Sequence, residues 1–146
     1  MGAAAIHFAV APSHFAEYVG FGVFFVAIAW FQSAWAVVAA NRDGRNLRIA
    51  GFVVNGLVIA IWIWSRTVGL PIGPEPGVPE EILASDALAT AFEVLLVFWI
   101  GRSFVRVPGG DGRSHGPVVA TSVLTWAVVV LLTSLALFID AETGGK

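Results

Sequence analysis

The sequence predicts an all-α membrane protein: an up-down four-helix transmembrane bundle with both termini extracytoplasmic. Three observations predict it. Hydrophobic residues make up 58% of the 146 residues and charged residues only 12%, against about 25% charged in an ordinary soluble domain. Long uncharged runs recur along the chain, with two of 23 residues at Tyr18–Ala40 and Pro117–Ile139. Basic residues concentrate in alternate loops. Together these exclude a soluble globular domain, whose interior could not hold so much apolar surface. The formal net charge of −2 leaves no basic excess to seek phosphate, so nucleic acid is not an expected partner. With no cysteine, disulfides, thiolate metal sites and thiol catalysis are excluded together.

Each helix follows from a run of charge-free residues long enough for the hydrocarbon core, which takes about 20 helical residues. The first is expected at 14–40. The second, at 48–69, contains 17 uncharged residues from Ile49 to Ser65 before Arg66 intrudes. The third, at 80–105, is apolar overall but carries Asp86 and Glu93 and ends near Arg102. The fourth is expected at 117–139, and the whole chain, 1–146, reads as one transmembrane domain. Short connections make successive helices antiparallel. No positive n-region precedes the first apolar stretch, so a cleaved signal peptide is not expected. His7 is expected in a tail ahead of the first helix.

Orientation rests on arginine. The first loop and its flank carry Arg42, Arg45 and Arg48, and the third loop carries Arg102, Arg106 and Arg113. The second loop carries Glu75, Glu80 and Glu81. Positive loops stay cytoplasmic, so the second loop faces outward. Seven arginines against one lysine suggest a GC-rich bacterial genome, hence a multi-pass protein of the bacterial cytoplasmic membrane. From Thr67 to Pro79 the second loop holds four prolines and three glycines in thirteen residues. That stretch cannot be helical and forms either a connector or a fixed cap over the outer end.

Ionisable residues inside a span cost about 2.5–3.5 kcal/mol each and need a partner or a purpose. Glu17, Arg66, Asp86 and Asp140 fall near the outer ends of their helices. Glu93 lies about 10 Å deeper than Asp86 on the same face. Arg66 runs against the orientation rule, so it should pair with Glu17, Asp86 or Glu93, with Glu93 favoured and Glu17 next. Asn55, Trp62 and Arg66 share one face of the second helix; Asp86, Thr90 and Glu93 share one face of the third; Trp126, Thr133 and Asp140 repeat at seven on the fourth. The candidate ligand-binding set is therefore Arg66, Glu93, Glu17, Asp86, Trp62 and Thr133. No metal site is expected; the weak alternative is His14 with Glu17, whose order reverses the Glu-x-x-His of di-metal bundles. Ser13 would cap the first helix, with Glu17 at its positive end. Trp35 and Trp99 fit an inner aromatic belt and Trp62 and Trp64 an outer one, leaving Trp30 and Trp126 for packing or for lining a pocket.

His14-Phe-Ala-Glu17, the string Trp64-Ser-Arg-Thr-Val-Gly-Leu-Pro-Ile-Gly-Pro74 and the Asp86–Glu93 pair resemble a group of small, uncharacterised four-span membrane proteins of GC-rich bacteria. That resemblance implies the span count and carries no activity. The functional expectation is an integral membrane bundle whose outward polar cluster binds a small ligand, a lipid or a partner, the last as an accessory subunit of a membrane complex. Membrane lipid, a membrane-protein partner and a second copy are its expected neighbours. The alternative is an intramembrane enzyme, metal-dependent or not, with Glu93 as acid/base and Arg66 holding an anion. No cofactor is indicated.

Overall fold

The computed structural model describes residues 2–105; the expected fourth helix and Thr133 lie outside them. Four helices follow in chain order: α1 (Gly2–Glu17), α2 (Val19–Asn41), α3 (Arg45–Thr67) and α4 (Ala84–Val105). Among the described residues, α2, α3 and α4 are long and apolar enough to cross a membrane. At 1.5 Å per residue, each runs about 33–35 Å, enough for a hydrocarbon core of about 30 Å.

The first expected helix is two. Residues read as a tail form α1, because Gly2-Ala-Ala-Ala-Ile-His opens on alanines, the strongest helix formers. A single residue, Tyr18, adopts extended backbone (φ −157°, ψ 126°) and reverses the chain. Its N–H still donates to the His14 carbonyl (2.9 Å), and the N–H of Phe21 donates to the Tyr18 carbonyl (3.0 Å). Hence α1 folds back along α2. Phe8 meets Trp30 edge-on at 5.6 Å, and His7 meets Phe25 at 5.3 Å. The close approach needs a missing side chain at the turn: a Cβ on Gly22 would fall inside the Phe15 ring.

With this reversal, α1 (about 24 Å long) reaches only part-way along α2. Residue 2 lies beside Phe92 of α4, away from the Arg66 end where it was expected. Small residues let α1 sit close to its neighbours, as in membrane packing generally. Ala3, Ala4, Ala11, Ala29 and Ala89 are all buried, and Ala3, Ile6, Val10 and Ala89 form a core with Phe25, Leu88 and Phe92 packed on it. Ser13 is therefore no N-cap. It lies inside α1, where its hydroxyl donates to the Val10 carbonyl at 2.7 Å. Glu17 likewise ends α1 instead of sitting in a first turn.

The remaining elements keep close to expectation. Arg42 leaves α2 in extended backbone, and α3 starts at Arg45, three residues before the expected 48. Trp35 Nε1 donates to the Leu47 carbonyl (2.8 Å), fixing the α2–α3 turn. α4 begins at Ala84 rather than 80, because the loop from Thr67 runs on past Pro79. That loop folds on itself: the N–H of Gly77 donates to Leu70 (2.8 Å), and the N–H of Glu80 donates to the last-turn carbonyl of Ser65 (3.0 Å). Gly69, Gly73 and Gly77 take positive φ (82°, 108° and 77°), and at Gly69 a Cβ would also strike the backbone of Gly77 and Val78.

The candidate site, a polar cavity at the Arg66 end

Arg66 stands in the last turn of α3, with its side chain 9% exposed. Two carboxylates take its guanidinium: Nη1 donates to Glu80 and Nη2 to Asp86. Nη1 also donates to the Ser65 hydroxyl at 3.0 Å, and that hydroxyl donates to the Trp62 carbonyl at 2.9 Å. The indole of Trp62 lies 5.8 Å below the guanidinium carbon, in cation–π range. Arg66 thus fastens the far end of the loop and the first turn of α4 to α3, since Glu80 lies shortly before α4 and Asp86 within its first turn. The expected partner Glu93 is not the one found. It stands two turns deeper, and the nearer acids reach the guanidinium first. Asp86, named beside it from the sequence, makes the contact.

Glu93 belongs to a second polar group. It is 1% exposed, and its Oε1 meets His7 Nε2 at 3.0 Å and accepts from Gln32 Nε2 at 2.7 Å. Gln32 uses its other N–H on Asn55 Oδ1 (3.0 Å), and Asn55 Nδ2 donates to the Gly51 carbonyl (2.7 Å). The line therefore joins all four helices and ends on helix backbone. Its last two members are amides, which carry no titratable proton, so it positions Glu93 instead of conducting through it.

Between the two groups lies a cavity of 80 Å³. Water needs roughly 10–15 Å³ by this measure, so the space suits about five waters or a molecule of a few heavy atoms. All four helices and the loop contribute to its wall. His7, His14, Arg66, Glu80, Asp86 and Glu93 supply the charged and titratable groups, and Phe21, Phe24, Phe25 and Trp62 supply rings. His14 stacks on Phe25 at 4.0 Å. Among the described residues, Glu93 Oε2, His7 Nδ1, His14 Nδ1, Trp62 Nε1 and Arg66 Nε are buried atoms without a hydrogen-bond partner that belong to residues of this wall. A buried polar group left unpaired costs about 1–3 kcal/mol, so five on the residues of one wall are a concentrated cost.

The candidate residues divide accordingly. Arg66, Asp86, Trp62 and Glu93 share the cavity wall. Glu17 does not: its side chain is 45% exposed and meets only His14, at 3.4 Å, on the loop side. Among the described residues no three metal-ligating side chains gather, and the His14–Glu17 pair has no third member. Arg66 is committed to two carboxylates, which removes it as an anion holder. Trp30, expected in packing, is 65% exposed despite its contact with Phe8.

His7, expected in a tail from which it could reach only a surface ion with His14, stood outside the candidate site. The signal was there: His7 and His14 stand seven residues apart, on one face of the helix that an alanine-rich run favours.

No family model, curated protein or solved structure matches this chain.

Proposed function

We propose that the chain is a multi-pass protein of the bacterial cytoplasmic membrane that binds a small ligand in the cavity at its Arg66 end. Arginine asymmetry supports the orientation. Arg42, Arg45, Arg48 and Arg102 gather at one end with Asp43 as the nearby acid, and Glu17, Glu75, Glu80, Glu81 and Asp86 gather at the other. The first set belongs in the cytoplasm, which turns the loop and cavity outward.

One observation carries the ligand reading: a single cavity whose wall gathers His7, His14, Arg66, Glu80, Asp86 and Glu93 beside aromatic rings. The fastening role is filled by Arg66, Glu80 and Asp86, which bond one another. A bound molecule supplying donors and acceptors would repay the desolvation of the rest. Native mass spectrometry of protein in lipid nanodiscs tests the reading. The wild type should carry a small-molecule adduct that Thr90→Phe, which fills the cavity from α4, removes while circular dichroism stays unchanged. An adduct retained by Thr90→Phe, or no adduct in either protein, would count against it.

A further inference from the structure

We propose that the apolar run Pro117–Ile139 docks as a helix on a surface left open between α2 and α4, its first half in a groove and its second half over α1. The run lies outside the described residues; the surface it would cover lies within them. The docking is independent of what the Arg66 cavity holds.

Helix order makes the groove. α1 packs against α2 on one side and α4 on the other, and α3 packs against both of those. The four helices therefore stand at the corners of a bundle, with α1 opposite α3. At 16 residues, α1 fills only part of its corner. Gly2 stops beside Phe92, thirteen residues, or about 20 Å, short of the end of α4 at Val105. Over that length the corner is open, as a groove of 540 Å³ between α2 and α4 with Asn55 of α3 at its floor. Trp35, Phe92, Phe98 and Trp99 supply its walls. Past Gly2 the same corner presents the outward face of α1. Ala9, Pro12, Ser13 and Ala16 are exposed there, at spacings that put them on one side of a helix. Large rings thus bound a hollow at the arginine-rich end, and small side chains form a low ridge at the Arg66 end.

Chain geometry selects the occupant. α4 ends at the open mouth of the groove. Residues 106–116 then lead to Pro117, and consecutive elements on short connections are usually neighbours. Pro117–Ile139 is uncharged for 23 residues, long enough to cross the hydrocarbon. A tether this short holds the run at an effective concentration on the order of millimolar, an advantage a second copy lacks.

The run also matches the surface along its length. With Pro117 level with Val105, it reaches the depth of Gly2 and Phe92 near Val130. Between 118 and 130 only Leu124 and Trp126 are large; the rest are Ala, Val, Ser and Thr. Such side chains let a helix enter a groove walled by rings. Beyond Val130 the composition reverses, with Leu131, Leu132, Leu135, Leu137, Phe138 and Ile139, and the small residues of α1 leave room for them. Large meets small on both sides of one boundary. An acyl chain, uniform along its length, has no such boundary to match.

The protein has no cysteine, so disulfide cross-linking of introduced pairs in native membranes tests the docking. Ala36→Cys, on the groove wall, is paired with single cysteines through 118–128. Ala9→Cys, on the exposed face of α1, is paired with single cysteines through 131–139. Oxidation should give intramolecular products that recur every three or four positions. The strongest should fall within about a turn of Ser122 for Ala36→Cys and of Leu137 for Ala9→Cys. Both described positions carry a small residue that cysteine replaces with little change of volume, so the fold is retained. Disulfide-linked dimers in place of intramolecular products would give the surface to a second copy and overturn the docking. Products without periodicity, or with the two depths exchanged, would overturn it too. So would the absence of any product, and a phosphatidylglycerol with a photoactivatable acyl chain that then attaches at Ala36 or Phe92 would give the groove to lipid.

Discussion

Replacing Arg66 by methionine should be among the most damaging single changes in the described bundle. Methionine keeps much of the arginine stem's volume and removes the guanidinium. Asp86, 8% exposed, would then be a carboxylate with its cation gone, in a place water barely reaches. Breaking a buried ion pair from one side costs about 3–5 kcal/mol. Glu80 adds little, because its side chain is 35% exposed and water can replace the lost partner. Arg66→Met should therefore lose about 3–5 kcal/mol, measured by sodium dodecyl sulfate titration in mixed micelles with helix content as the signal. Adding Asp86→Asn removes the stranded charge and should recover part of that loss, with a coupling of about 1–3 kcal/mol. Adding Glu93→Gln instead should give losses that simply add, since Glu93 lies about two turns deeper and shares no partner with Arg66. A loss below about 1 kcal/mol for Arg66→Met, or stronger coupling to Glu93 than to Asp86, would refute the pairing and the argument built on it.

Two further outcomes follow from the fold. Single cysteines at Gly44 and Glu75 should label from opposite faces of intact spheroplasts, with Glu75→Cys reached from outside; labelling of both from one side would break the orientation. Gly22→Ala should destabilise by about 1–3 kcal/mol, because its Cβ would enter the Phe15 ring. Combining it with Phe15→Ala should then be less harmful than Gly22→Ala alone, and a double variant that is worse would show that α1 does not turn back at Tyr18.

The span positions of α2, α3 and α4 were legible because a hydrocarbon core imposes a length and a charge limit that any reader of the sequence can apply. Glu93 was legible as a buried acid for the same reason, whereas Asp86, read as lying near an outer end, is buried too. The break at Tyr18 was not, since Tyr18–Ala40 is uninterrupted in hydrophobicity and one extended residue leaves no compositional mark. Missing it hid α1, and with α1 went His7. Without His7, Glu93 had no candidate partner except Arg66, so one unmarked backbone dihedral led to the wrong ion pair. The pull of Glu80 on Arg66 was equally unreadable. It depends on the loop doubling back so that Glu80 N–H reaches the Ser65 carbonyl, a closure that the positive-φ glycines permit but their spacing does not specify.

The contact between His7 and Glu93 spans 86 positions of the chain, and this has a consequence for how the protein is made. Translation at about 5–20 residues per second separates the synthesis of the two residues by roughly 4–17 s. Once α2 is complete, α1 and α2 can pair, because their contacts are local, yet the imidazole has no carboxylate to meet. A nascent chain arrested before Glu93 would carry an α1 free to leave α2's side, open to a protease or to a chemical probe at His7. Release of the arrest would close it. The candidate site is thus the last thing the described bundle builds, and its completion reports that α4 has arrived.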